Sequence, residues 1–211
     1  MDEKTGEVLG RVVVTQRVGW CADLVSTMAR SLISEHWNTS DVGMLASGED
    51  AEGRALPSNA WMALRRLGWG ASAPEGVKVN DRIVRMAQEQ AGRTLRSAQW
   101  RAELTTGVLT SWPADPAKRT ADEWVNVRAA VPGGQHLPSS VIKSRTQQIA
   151  SFARANGRVP ADPFELEGAP GVARMLLLSA CDGQQATIEC REDDPSRVVL
   201  RLQLPVRPDP R

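Results

Sequence analysis

The chain has 211 residues, of which 41% are hydrophobic and 24% charged, and its formal net charge at pH 7 is +1. This composition is typical of a globular protein and excludes a disordered or fibrous chain, while the small net charge excludes whole-molecule basicity as an argument for nucleic-acid binding. No apolar run approaches the roughly 18 residues that a membrane span needs, and the N-terminus is polar and acidic, so we expect a cytoplasmic protein with no membrane partner.

The N-terminal third of the chain predicts one strand, two helices and a loop. Residues 8–18 are expected to form a β-strand because Val12–Val14 are β-branched and flanked by polar residues. Apolar side chains recur at spacings of three and four from Cys21 to Trp37, which predicts an amphipathic helix. Residues 38–59 are rich in Gly, Ser and acidic residues and predict a surface loop, and a short helix is expected over Ala60–Leu67.

The clearest periodic element begins after Asn80, a candidate N-cap, and extends to about Leu104. Its apolar residues gather on one helical face, formed by Ile83, Val84, Ala87, Ala91, Leu95, Ala98 and Ala102. After a break at Trp112-Pro113, a short helix is expected at about 120–130 and a longer one from about Val141 to Asn156.

The C-terminal part changes to a pattern of strands separated by turn residues. The three apolar or alternating runs are Val172–Ala180, Ala186–Arg191 and Arg197–Val206. Because an isolated strand leaves its backbone groups unpaired, we expect the N-terminal strand to pair with this antiparallel meander. The predicted fold class is therefore α+β. Residues 8–18 and 170–206 form a small β-barrel-like domain, residues 20–158 an inserted helical lobe, and residues 207–211 a tail.

No sequence signature of a catalytic, cofactor or metal site is present. The phosphate-binding patterns GxxxxGK[ST] and GxGxxG and the nucleophile pattern GxSxG are absent, and the three cysteines form no CxxC pair. Of the two histidines, His36 lies on the apolar edge of a predicted helix and His136 lies in a Pro/Gly loop. We therefore expect no enzyme activity, no catalytic residues, no metal and no cofactor.

A row of basic residues lies opposite the apolar face of the helix that follows Asn80, within an arc of roughly 80°. Glu89 is the single acidic residue in this arc. We call the row the basic stripe, and its members are Lys78, Arg82, Arg85, Arg93 and Arg96. A phosphate backbone would relieve the repulsion among these cations, arginine suits bidentate phosphate contacts, and Trp100 continues the same side as a stacking surface. Arg11 and Arg17, beside the first strand, are weaker additions. Alternatively, the stripe is only the solvent side of a helix, its Arg stems covering apolar neighbours.

The order of elements resembles a known family. A short basic strand, GRVVVTQRV at 10–18, precedes the helical region, and strands return in VARMLLLSACDGQQATIECREDDPSRVVLRLQLPVRPDP. This order resembles the N-terminal half of the TnpB-like RNA-guided nucleases of bacterial transposons and their type V CRISPR relatives, in which a β-barrel wedge domain is interrupted by a helical recognition lobe. Residues 79–113 also look like a helical recognition segment of divergent transposase-related proteins.

The resemblance implies a truncated product that binds nucleic acid without cutting it. The chain stops before the RuvC-like domain that carries the family's three carboxylates, and its three cysteines cannot form the usual four-Cys zinc ribbon. The implied partner is RNA or DNA, with a separate nuclease half if the gene is split. The alternative hypothesis is a protein-interaction or scaffold module, in which Trp residues and the acidic loop at 49–52 contact another protein.

Overall fold

The computed structural model describes residues 10–112, 119–131, 133–176, 186–190, 192–193 and 198–202, and these are mainly helical. The α-helices in them are α1 (Gly10–Glu35), α2 (Thr39–Ser47), α3 (Ala60–Arg66), α4 (Asp81–Thr110), α5 (Ala121–Ala130) and α6 (Ser139–Asn156). They are accompanied by two 3₁₀ turns, Gly134–His136 and Pro163–Leu166, and by two strands, β1 (Ala186–Cys190) and β2 (Val198–Leu202).

The chain divides into two compact units. The first consists of Met1–Leu32, Asn59–Gly92 and Gly171–Arg211, and the second of Ile33–Ser58 and Arg93–Pro170. The long helices α1 and α4 therefore contribute residues to both units, whereas α5 and α6 belong to the second alone.

The predicted N-terminal strand is wrong, because residues 10–18 form the first turns of helix α1. β-branched residues favour strands only weakly, by roughly 1 kcal/mol across the whole propensity scale. Helix elongation, by contrast, adds one backbone hydrogen bond for each residue once a helix is nucleated. The amphipathic segment that follows supplies this helix, since Cys21, Val25 and Ala29 are completely buried along one face.

The C-terminal strands form one antiparallel pair, in which Ile188 lies opposite Leu200. It is the only sheet among the described residues. Residues 172–176 have no regular secondary structure, and the rest of the predicted strand Val172–Ala180 lies outside the described part of the chain. The predicted α+β class with a barrel-like domain is therefore wrong, because the first strand is a helix and, among the described residues, β1 and β2 pair only with each other.

The periodicity after Asn80 is confirmed by α4. Ile83, Ala87 and Leu95 are buried on its predicted apolar face, and the Asn80 side-chain oxygen accepts the Ile83 backbone N–H at 3.1 Å as an N-cap does. The helix continues past its predicted end because Leu104 and Val108 are buried in the core of the second unit.

In the first unit, α3 approaches α4 closely at Gly92. A Cβ atom at this position would lie 2.9 Å from both the Ala60 Cβ and the Leu64 Cδ1 atoms. Close packing of α3 against α4 therefore requires glycine at position 92. Nearby, the buried Gln88 side chain donates to the Trp69 carbonyl at 2.8 Å and accepts from Arg65 Nε at 3.3 Å.

The second unit has a compact apolar core between α4, α5 and α6, made of Leu104, Val108, Val127, Val131, Ile142 and Ile149. It also contains α2, which lies where a loop was expected over 38–59. The Asn38 side chain caps this helix by accepting from the Asp41 N–H at 2.9 Å, and Gly48 ends it with a φ of +76°. Asn38 and Gly48 can be recognised as cap residues in the sequence, but the high Gly and Ser content of this segment favoured the prediction of a loop.

Candidate functional site

Arg85 of the basic stripe is engaged within the first unit. Its Nη2 atom lies 2.6 Å from Asp81 Oδ2, and its guanidinium lies 4.6 Å from the centroid of the Trp61 ring. Arg65 also pairs with Asp81 and lies 5.1 Å from the same ring. The hydrogen bond from Arg65 and the charge of Arg65, followed by the charge of Arg85, outweigh burial and lower the pKa of Asp81 below its ordinary value. This cluster fastens α3 to the start of α4.

Arg96 is engaged within the second unit, where it donates to one carbonyl of α2 and to two carbonyls of the loop before α3. Its Nε atom donates to the Leu45 carbonyl at 3.3 Å, its Nη2 atom donates to the Pro57 carbonyl at 3.0 Å, and Nη1 donates to the Ser58 carbonyl. Three donors of the guanidinium are thereby taken up by the chain itself. For Arg85 and Arg96 the contacts favour a structural role over contact with a polyanion.

The other predicted binding residues differ in how they are placed. Lys78 is exposed just before α4, Arg93 is exposed on the helix, and Arg82 is half-buried. Arg82 and Arg93 each interact with other groups of the chain. Arg11 and Arg17 lie in α1 rather than beside a strand, and their side chains are outside the described part of the structure.

Trp100, in contrast, is presented to solvent. It is 40% exposed, although tryptophan is highly buried on average, and it lines a groove between α4 and α6. The groove has a volume of about 270 Å³. It is lined by Trp100 and Leu104 of α4 and by Ser140, Val141, Ser144, Arg145 and Gln148 of α6.

The wall that α6 contributes to this groove continues into an exposed polar face of the helix. We call this surface the α6 face, and its exposed members are Ser140, Lys143, Ser144, Gln147, Gln148, Ser151 and Arg154. The whole helix, from Ser139 to Asn156, contains three basic residues and no Asp or Glu. Its hydroxyl, amide and basic groups are therefore presented without a carboxylate on the same helix.

Arg145 lies at the boundary between the α6 face and the core. Its side chain is only 10% exposed, and its Nη2 atom lies 3.6 Å from Glu167 Oε1, which is longer than a direct hydrogen bond. Arg101 donates to the other oxygen of the same carboxylate at 3.3 Å. Two guanidinium groups thus share one carboxylate, which leaves a net positive charge beside the groove.

The acidic loop at 49–52, which the protein-interaction hypothesis uses, is held together by hydrogen bonds to the carboxylate of Asp50. Asp50 is buried and accepts from Arg54 Nε at 2.7 Å and from the Glu52 backbone N–H at 3.1 Å. Burial acts to raise the pKa of Asp50, but hydrogen bonds from the backbone and side chain of Arg54 outweigh it, so that pKa is lowered. Glu49 and Glu52 remain exposed.

The described part of the structure contains neither a candidate metal site nor a candidate membrane span. Within the described residues, no three His, Cys, Asp or Glu side chains are grouped in a way that could hold a metal ion. In the same part of the chain, no helix combines the length and the apolar character needed to cross a bilayer.

No protein-family model matches the chain, and neither a curated protein nor a solved structure is significantly similar to it. The resemblance to RNA-guided nucleases rested on a strand at 10–18 that joins C-terminal strands, and α1 occupies those residues. The geometry of α4 and α6 is then the basis for a functional proposal.

The sequence-based prediction missed the α6 face and Arg145. The charge of this helix could have been recognised in the sequence, because the segment SSVIKSRTQQIASFARAN has basic residues and no acidic ones. The groove itself could not be predicted from the sequence, since Trp100 and Arg145 are 45 positions apart and only the packing of α6 against α4 brings them to one surface.

Proposed function

We propose that the chain binds single-stranded nucleic acid through Trp100 and the α6 face. The observation that carries the proposal is a half-exposed indole beside a helix surface of hydroxyl, amide and basic groups that has no carboxylate of its own. Proteins that bind single strands combine aromatic stacking platforms with basic grooves, and Ser, Gln, Lys and Arg are common contacts to phosphate and sugar oxygens.

The proposal places the binding surface on α6 rather than on the basic stripe. Arg85 and Arg96 are committed to Asp81, Trp61 and loop carbonyls, so binding a phosphate through them would break contacts that hold the fold together. Lys143 and Arg154 are exposed cations on the same helix surface as Ser144 and Gln148. Neutralising their charge with phosphate would release condensed counterions without that cost.

The test compares two double variants that remove the same amount of charge. Lys143→Gln with Arg154→Gln alters the α6 face, and Lys78→Gln with Arg93→Gln alters the basic stripe. Binding to a labelled single-stranded oligonucleotide is measured by fluorescence anisotropy over a range of salt concentrations. We expect the α6 variant to lower the slope of log K against log salt by about 1.4, which is two contacts at about 0.7 each, and the stripe variant to leave it unchanged.

Two outcomes would contradict the proposal. A reduced slope in the stripe variant with an unchanged slope in the α6 variant would return the interface to α4. No binding of the wild-type chain to single-stranded RNA or DNA at low salt would remove nucleic acid from the function altogether.

The protein-interaction hypothesis has one observation in its favour. Val125 of α5 is 64% exposed and lies beside an open groove of about 680 Å³ whose lining includes Ala129, Ala130 and Val131. A protein partner would cover these exposed apolar side chains. If the chain binds no nucleic acid, this surface of α5 becomes the leading candidate, and Val125→Asp tests it.

A further inference from the structure

Arg145 has hydrogen-bonding capacity that the other described residues do not use. A guanidinium carries five N–H donors. Within the described residues, its one polar partner is the Glu167 carboxylate at 3.6 Å. The side chain is nevertheless nine-tenths buried, and it lines the groove beside Trp100.

The charge around Arg145 favours an anionic ligand. Glu167 is shared with Arg101, so a single negative charge faces two guanidinium groups. A phosphate in the groove would supply both the missing charge and the acceptor oxygens, and arginine matches phosphate geometry with two parallel hydrogen bonds. The exposed hydroxyl of Ser144 lies in the same lining.

We infer that Arg145 anchors a phosphate group and that the groove holds one nucleotide, with its base against Trp100. This inference rests on the proposed function and deepens it, because it assigns a one-nucleotide subsite within the single-strand interface. The volume of about 270 Å³ lies just below the range of about 300–1,000 Å³ that is usual for small-ligand pockets. A groove of this size has room for no more than one nucleotide, and a base in a duplex cannot stack on the indole in this way.

The test separates the contributions of base and phosphate with small probes on the full chain. Adenosine monophosphate, adenosine and ribose 5-phosphate are titrated against the protein by calorimetry or by NMR of the Trp100 indole. In the wild type we expect the monophosphate to bind about tenfold or more tightly than adenosine, as expected for a charge-assisted hydrogen bond. In Arg145→Gln that advantage should disappear.

Two further variants keep the inference testable if Arg145→Gln fails to fold. Glu167→Gln removes the competing carboxylate and leaves Arg145 in place, so the monophosphate should bind several-fold more tightly, a gain that a purely structural arginine would not produce. Trp100→Leu should reduce the affinity for the monophosphate to that for ribose 5-phosphate. A monophosphate advantage that survives in Arg145→Gln, or that does not grow in Glu167→Gln, would overturn the subsite.

These outcomes are distinguishable from failure of the proposed function. If oligonucleotides bind but the monophosphate advantage does not depend on Arg145, single-strand binding stands and the phosphate anchor is wrong. If the monophosphate binds through Arg145 and oligonucleotides do not bind, the subsite stands for a free nucleotide and the single-strand proposal is wrong.

Discussion

Helices α4 and α6 both carry arginines, but they use them differently. On α4, Arg85 is held by Asp81 and the Trp61 ring, and Arg96 is held by three backbone carbonyls. On α6, Lys143 and Arg154 are exposed, and Arg145 faces a groove with one distant carboxylate partner. The comparison teaches that the number of cations on a helix does not locate a binding surface. Under the proposed function, the surface is set instead by the donors for which the described residues provide no strong acceptor.

The surroundings of the two helices explain this difference. α4 runs through both compact units, and buried residues such as Ile83 and Leu104 lie along its length. A helix with so many neighbours offers its arginines carboxylates, carbonyls and aromatic faces within reach. α6 belongs to the second unit alone and has a broad exposed side. Its polar groups consequently meet solvent, where a ligand can reach them.

The largest expected effect is on stability, for Arg96→Ala. The variant loses three hydrogen bonds to the carbonyls of Leu45, Pro57 and Ser58, and we expect the free energy of unfolding to fall by about 2 kcal/mol. Urea denaturation measures this change in the free energy of unfolding. Lys143→Ala on α6 is the matched control and should change stability by less than about 0.5 kcal/mol. Equal losses in the two variants would remove the distinction between a structural and an exposed cation.

A smaller effect is expected for Gly92→Ala, which tests how tightly α4 is enclosed. The added methyl group would lie 2.9 Å from the Ala60 and Leu64 side chains. Overpacking costs about 1–3 kcal/mol, and the better helix propensity of alanine returns up to about 1 kcal/mol. We therefore expect a net loss of about 1–2 kcal/mol in thermal or chemical unfolding. A stabilised variant would show that α3 and α4 can move apart at no cost.

The smallest effect concerns Asp81→Asn and its dependence on pH. Arg65 and Arg85 lower the pKa of Asp81, so the ionised carboxylate stabilises the folded state above the ordinary value of 3.8. This contribution is lost as the pH falls through the lowered pKa of the folded state. Because the pair is about half exposed, we expect a difference of at most about 1 kcal/mol between wild type and variant at neutral pH, and almost none in strong acid. A difference that grows towards low pH would contradict this assignment.

Local signals predicted the helices well and the site poorly. The apolar spacing after Asn80 predicted α4 and its buried face, and the Asp81–Arg85 pair lies at the (i, i+4) spacing that a helix brings together. The partners of Arg96 lie 38 to 51 positions away in sequence, beyond any local rule. The strand expected at Val12–Val14 failed for a related reason, because residue preference is weaker than continuation of the helix that follows.

The sequence by itself determined where most helices form, which of their faces are apolar, and that α6 has no acidic residue. These properties follow from side-chain volume, polarity and the 3.6-residue period, which act within a few turns of backbone. Only the tertiary structure decided which arginines are neutralised by distant carbonyls and carboxylates, and that Trp100 and Arg145 share a groove. The pairing of charges and of hydrogen-bonding groups depends on which groups lie close together in space. The packing of helices that are far apart in sequence determines which groups those are.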